Sequence, residues 1–151
     1  MMADLRELYQ QVLLDHSKRP RNFHDMPQAT CRAEGFNALC GDRVTVFCKI
    51  HGNAIADVSF TGSGCAICTS SSSMMTQSLK GKNLKQARAL FDKFHRLVTG
   101  QDDPEEAIEN LDKLAVFSGV RQYPVRVKCA TLPWHTMLAA LDQREETVST
   151  E

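Results

Sequence analysis

The 151-residue sequence has no excess of charge of either sign: 18 lysines and arginines stand against 18 aspartates and glutamates. That balance gives no reason to expect nucleic acid or an acidic membrane surface as a main partner. Long apolar runs are also missing, and none approaches the roughly 20 residues needed to span a bilayer. The opening residues, Met1 to Glu7, carry acid early and no apolar stretch of the signal-peptide kind. No internal repeat or low-complexity tract divides the chain. The expectation is one cytoplasmic domain over 1–151, ending in a polar tail after about residue 143.

What the chain does hold is sulfur, in six cysteines. With no secretory leader expected from the opening residues, metal or thiol chemistry is a better expectation than a disulfide framework.

The elements follow from spacing. Leu5, Leu8, Tyr9, Val12 and Leu13 recur at helical period, and Pro20 ends that helix. The stretch from Met26 to Ala38 reads as irregular or as a short edge strand. Arg43–Ile50 and Ala54–Phe60 alternate as two strands about a His51-Gly52-Asn53 turn. A short helix follows Cys65 to about Leu79, weakened by Ser70 to Ser73. Leu84, Ala87, Leu90, Phe91, Phe94 and Leu97 mark another. Asp103-Pro104-Glu105-Glu106 has the chemistry of a helix start, and 111–120 continues as a helical turn. A last helix is expected from Thr131 to about Gln143, with Pro133 in its first turn and Cys129 just before it. The fold class is α+β: a small antiparallel three-stranded sheet with helices packed on one face.

Folding the hairpin about residues 51–53 sets residue 42 opposite about residue 62 or 63, because the turn fixes antiparallel register. Cys40-Gly41-Asp42 and Gly62-Ser63-Gly64-Cys65 therefore meet at one end of the sheet. Cys65 before a helix gains from the helix dipole, and Cys129 is expected to share that advantage beside Arg126 and Lys128. Three thiolates with Asp42 have the stoichiometry of tetrahedral zinc. The surplus negative charge would be offset by Lys128, Arg126 and Arg121. Cys68 completes a Cys-x-x-Cys with Cys65 and reads either as touching that chemistry or as a small buried thiol. Cys48 alternates with valines and reads as core, and Cys31 as incidental. His24, His51, His95 and His135 are scattered. His16 reads as a brace of the first helix, and Met74, Met75 and Trp134 as core or rim, with a docking patch around Trp134 as the alternative.

These residues resemble the U-type scaffold family of iron–sulfur cluster assembly over nearly the whole chain, from Leu8-Tyr9 to about Leu141. Asp15-His16 with Pro20-Arg21-Asn22, then Cys40-Gly41-Asp42, then Gly62 to Cys68 followed by serines, and Val127-Lys128-Cys129 match its motifs in order. Scaffold members carry a His before the last cysteine and a Leu-Pro-Pro-Val-Lys chaperone-docking motif. Here Lys128 and Arg121-Gln-Tyr-Pro-Val125 stand in their places. Those departures, with a longer insertion after Cys65, are similar to the SufU branch. The resemblance implies that Cys40, Asp42, Cys65 and Cys129 bind zinc. It implies that the partner is a SufS-type pyridoxal-phosphate cysteine desulfurase, one histidine of which replaces Cys40 on the metal. Cys40 then accepts persulfide sulfur, with Cys129 as the second candidate acceptor. The alternative is a scaffold that builds an iron–sulfur cluster on the same ligands and hands it to other assembly proteins. A structural zinc site in an interaction module is the third reading.

Overall fold

The computed structural model describes residues 2–101, 111–143 and 148–149. The elements run α1 (Met2–Lys18), β1 (Cys31–Asn37), β2 (Asp42–His51), β3 (Ala54–Ser63), α2 (Ala66–Leu79) and α3 (Leu84–Val98). A 3-10 helix (Asp112–Gln122), α4 (Pro124–Leu141) and a two-residue β4 (Val148–Ser149) follow. The helix start expected at Asp103 lies outside the described residues.

The sheet has the order β3-β2-β1-β4, antiparallel except for the β1–β4 pair. It has four strands where three were expected, the fourth being β4. The stretch read as irregular or edge is an interior strand, β1. Its inward positions are Ala33, Gly35 and Asn37, and Arg32 and Glu34 face out. That strand is hard to see in sequence because its inward residues are small or polar. Their smallness is what α4 needs. A methyl group on Gly35 would stand 2.1 Å from Thr136 Oγ1 and 3.0 Å from Leu132 Cδ1, both on α4.

On β2 the apolar alternation holds, with Val44, Val46 and Cys48 buried. Phe47 on the opposite face is buried as well. Segment 22–30 crosses from the β3 edge, where Phe60 N–H bonds Asn22 O, to the start of β1, where Thr30 N–H bonds Cys48 O.

Two helices depart from expectation. Ser70 to Ser73 of α2, weak helix formers in isolation, are all buried and all bonded. Ser70 donates to Leu13 O, Ser71 to Ala130 O, and Ser72 to Cys68 O, and Ser73 meets His16. Small hydroxyls let α1 and α4 close onto α2 while satisfying polar groups of both. α4 begins at Pro124, seven residues before Thr131. Proline suits the first helical position because its missing N–H has no partner there in any case. Pro133 is then interior, and Cys129 sits inside the helix instead of ahead of it.

Trp134 is fully buried, stacked on Phe94 with centroids 4.5 Å apart, and its Nε1–H donates to Ser71 Oγ. It is core, and an exposed patch around it is ruled out. α3 carries a reciprocal Asn83–Gln86 capping box and sets Phe94 against Phe117 and Trp134.

Candidate metal centre

Several backbone features bring the candidate donors to one end of the sheet. Asn37 and Asp42 are Cα partners, so residues 38–41 form a four-residue β1–β2 loop, and Cys40 is in it. Gly41 follows at φ 69, a left-handed conformation that glycine adopts without strain. A β-bulge at Lys49/Ile50 shifts the β2–β3 register by one, pairing Arg43 with Ser63. Asp42 is thereby brought to Gly64 and Cys65, a residue or two beyond the position expected from the turn alone. Gly62, at φ 136, lies so close to β2 that a Cβ would stand 2.0 Å from Arg43 O. Cys65 is the N-cap of α2, its sulfur accepting from Cys68 N–H at 3.4 Å.

The side chains then meet. Asp42 is fully buried and its Oδ1 accepts from Cys65 N–H at 2.8 Å. Cys129 is 1% exposed, with its Sγ 3.0 Å from Cys40 Sγ, and both thiols are free. Ligand atoms of Cys40, Asp42 and Cys129 all lie within 4.8 Å of one another. Cys65 stands at the edge of that trio, its Sγ 4.0 Å from Asp42 Oδ2. Two sulfurs about 2.3 Å from a tetrahedral ion are about 3.8 Å apart, so the donors of Cys40, Asp42 and Cys129 lie within the span of one small divalent ion, while Cys65 Sγ is outside that mutual group. Their softness suits zinc or iron.

Burial raises the Cys129 thiol, and its contacts with Cys40 and Asp42 push it further up. Burial also raises Cys65, against the lowering bond from Cys68 N–H. Cys129, placed within α4, does not gain the helix-start assistance expected of it. A bound cation is what would deprotonate such thiols.

The expected supporting charges are less concentrated. Arg126, one turn before Cys129, is exposed with its guanidinium 4.7 Å from the Tyr123 ring centroid. Lys128 and Arg121 are half-buried. Cys68 is buried one turn into α2, outside the mutual group, with its thiol raised by desolvation.

Two residues that the sequence did not single out complete the surroundings. Asn37, fully buried, directs Nδ2 at Cys129 Sγ (3.7 Å) and accepts from Leu39 N–H in the Cys40 loop (3.3 Å). Gly64 leaves the space that the Asp42 carboxylate occupies, since a Cβ there would be 2.7 Å from Oδ1. Asn37 was hidden because its stretch reads only as irregular or edge; Gly64 was visible within the Gly-Ser-Gly-Cys run.

Residues 8–141 match the NifU-like N terminal domain. The chain belongs to that family. Among curated members it is 37% identical over 140 residues to the iron–sulfur cluster assembly scaffold protein IscU of Streptococcus pyogenes serotype M1, covering 93% of this chain and 86% of that one. It is 34% identical over 143 residues to the zinc-dependent sulfurtransferase SufU of Bacillus subtilis strain 168, covering 95% of each. Among solved structures of this NifU-like type it is similar to FiSufU of Fervidobacterium islandicum AW-1, a candidate SUF-system cluster assembly scaffold. There the TM-score is 0.81 at 33% identity, over 90% of this chain and 98% of the other. The NifU-like N-terminal domain of a Brucella abortus protein shares the fold with a TM-score of 0.78 at 21% identity, over 92% of this chain and 95% of that one.

Proposed function

We propose that this chain is a zinc-dependent sulfurtransferase of iron–sulfur cluster assembly. It takes sulfane sulfur from the persulfide of a SufS-type, pyridoxal-phosphate-dependent cysteine desulfurase in the cytoplasm. Cys40, Asp42, Cys65 and Cys129 hold the zinc, and Cys40 accepts the sulfur.

The observation that carries this reading is the difference in setting among the four donors. Asp42 opens a strand, Cys65 caps a helix and Cys129 lies inside one, whereas Cys40 sits in a four-residue loop followed by Gly41. A loop sulfur can leave and return while the other three stay on rigid elements. Bound zinc supplies the positive charge that keeps such thiols deprotonated at neutral pH. The Cys40 thiolate attacks the terminal sulfur of the partner's persulfide, forming a persulfide on Cys40 and releasing the partner's thiolate, so that charge is conserved. Arg126 and Lys128 offset negative charge at the mouth. Burial and the Cys40 and Asp42 neighbours make Cys129 the slower acceptor. The Bacillus subtilis relative, alike from end to end, supports this reading by its name.

A second reading has its own observation. The donor set serves iron as well as zinc, and the Streptococcus pyogenes relative is named a cluster assembly scaffold. The experiment that separates them is metal analysis of the native protein with a desulfurase assay across the four donors. A sulfurtransferase holds one zinc per chain, and Cys40→Ala abolishes its stimulation of the desulfurase. A scaffold holds little zinc, takes up iron and sulfide together, and passes the cluster to an acceptor.

A further inference from the structure

We propose that Cys31 and Cys48 form a second thiol site, separate from the metal centre, that reacts with hydroperoxides and closes as a cross-strand disulfide. Neither cysteine has a place in the sulfur chemistry above, and the inference stands whether or not that reading does.

The two residues lie 17 positions apart in sequence, yet they are direct Cα partners at the start of the β1–β2 ladder. Partners opposite one another in an antiparallel pair have Cα atoms about 4.5–5.5 Å apart. That falls inside the range of about 4.4–6.8 Å that a disulfide spans without moving the backbone. As direct partners they project from the same face of the sheet. Of the described cysteines, these two sit away from the metal-centre end of the sheet. Six residues of β2 separate Cys48 from Asp42, about 20 Å at the rise of a strand.

The pair is asymmetric in the way that a two-step oxidation requires. Cys31 is half-buried and meets solvent, and the neighbouring Cys48 thiol holds its own below the usual range. Cys48 is fully buried, and the neighbouring Cys31 thiol together with burial pushes its own thiol up. Cys31 is therefore the attacking sulfur and Cys48 the resolving one. In the first step the Cys31 thiolate attacks a peroxide oxygen. The O–O bond breaks, an alkoxide or hydroxide leaves, and Cys31 becomes a sulfenic acid. In the second step the Cys48 sulfur attacks the Cys31 sulfur. The S–O bond breaks, and the departing hydroxide takes the Cys48 proton to give water. Two thiols are oxidised by two electrons in all, and the peroxide is reduced by two. The product ties β1 to β2, the strands whose other ends carry the Cys40 loop and Asp42.

The experiment uses the full chain as isolated, treated with hydrogen peroxide, alkylated with N-ethylmaleimide and digested with trypsin without reduction. Cleavage after Arg21, Arg32, Arg43 and Lys49 places Cys31 alone on peptide 22–32 and Cys48 alone on peptide 44–49, with Cys40 between them on 33–43. The expected result is a 22–32/44–49 pair, lighter by two hydrogens than the separate peptides and lost on reduction. In Cys48→Ser the link disappears and dimedone labels Cys31. In Cys31→Ser, Cys48 stays a thiol. The wild-type map by itself decides the matter if either variant fails to fold. A map in which Cys31 and Cys48 remain thiols while other residues oxidise overturns the proposal, as does Cys31 oxidising beyond sulfenic acid with no link to Cys48.

Discussion

A methyl group at position 64 would lie 2.7 Å from the Asp42 carboxylate oxygen that accepts the Cys65 amide. Something must then shift, and the movable part is the carboxylate. Gly64→Ala is expected to weaken zinc binding by about 10–100-fold, the usual scale for disturbing the groups around a metal ligand. Competition against a chromophoric chelator measures it, and an unchanged far-UV circular dichroism spectrum shows that the fold survives. Asn37 acts on the other side of the site. Asn37→Asp keeps an oxygen to accept the Leu39 amide but sets a second oxygen against the Cys129 sulfur in place of an amide donor. Two anionic or acceptor groups then face each other in a buried place. Zinc affinity is expected to fall by about tenfold or more, and cobalt substitution reports the same loss as a weaker sulfur-to-cobalt charge-transfer band.

Between elements, the decisive contacts are small. Asp15 pairs with Arg21, the Arg21 amide donates to Ser73 Oγ, and that hydroxyl lies 2.7 Å from His16 Nδ1. Asn22 adds a bond to Thr76. The Asp15-His16 and Pro20-Arg21-Asn22 motifs are thus a strap holding the end of α1 and the following turn against α2. The bracing role expected of His16 has this as its form. Burial, with Arg21 close by, holds His16 below its usual pKa. A histidine depressed in the folded state contributes stability above about pH 6.5, its unfolded value. That contribution is lost as pH falls through the folded value. Denaturant midpoints are therefore expected to drop between pH 7.5 and pH 5.5 in the native protein, and to drop less in His16→Gln. Gly35→Ala tests the β1–α4 contact. Overpacking against Thr136 and Leu132 is expected to cost about 1–3 kcal/mol, and Thr136→Ala in the same chain should recover part of it.

The elements that sequence made legible are those whose signal is local. The β2 alternation, the 3.6-residue period of α3 and the turn at 51–53 each depend on a few consecutive side chains. β1 was read only as irregular or a short edge strand because Ala33, Gly35 and Asn37 carry no apolar bulk, and their inward placement is chosen by α4, a hundred residues away. The start of α4 was misplaced because Pro133 read as a first-turn proline, when Pro124 fills that role. Both errors bear on the site: without β1, neither Asn37 nor the Cys31–Cys48 pairing can be seen. Cys40, Asp42 and Cys65 were legible because one hairpin fixes all three, and Cys129 came through the family resemblance.

At the scale of the whole molecule, the centre joins parts that share little else. The β1–β2 loop, β2, the start of α2 and the second turn of α4 each carry one of the proposed donors, so an ion held by all four would staple the sheet to both central helices. Any ligand that binds the folded chain and not the unfolded one stabilises it, by about 2.7 kcal/mol at a hundred times its dissociation constant. Chelation with EDTA is therefore expected to lower the thermal midpoint, and added zinc to restore it. The pH dependence gives this test a sign of its own. Cys129 and Cys65 are raised in the metal-free fold, so above about pH 8.5, where unfolded thiols ionise, the unfolded chain binds fewer protons than the folded one. Metal-free protein must then lose stability as pH rises from 8 toward 10. Zinc-loaded protein would have given up those protons to solvent when the metal bound, so its midpoint should hold level or rise over the same window. The gap between the two forms, followed by calorimetry, should widen with pH; a constant gap would mean that the buried thiols do not hold the ion.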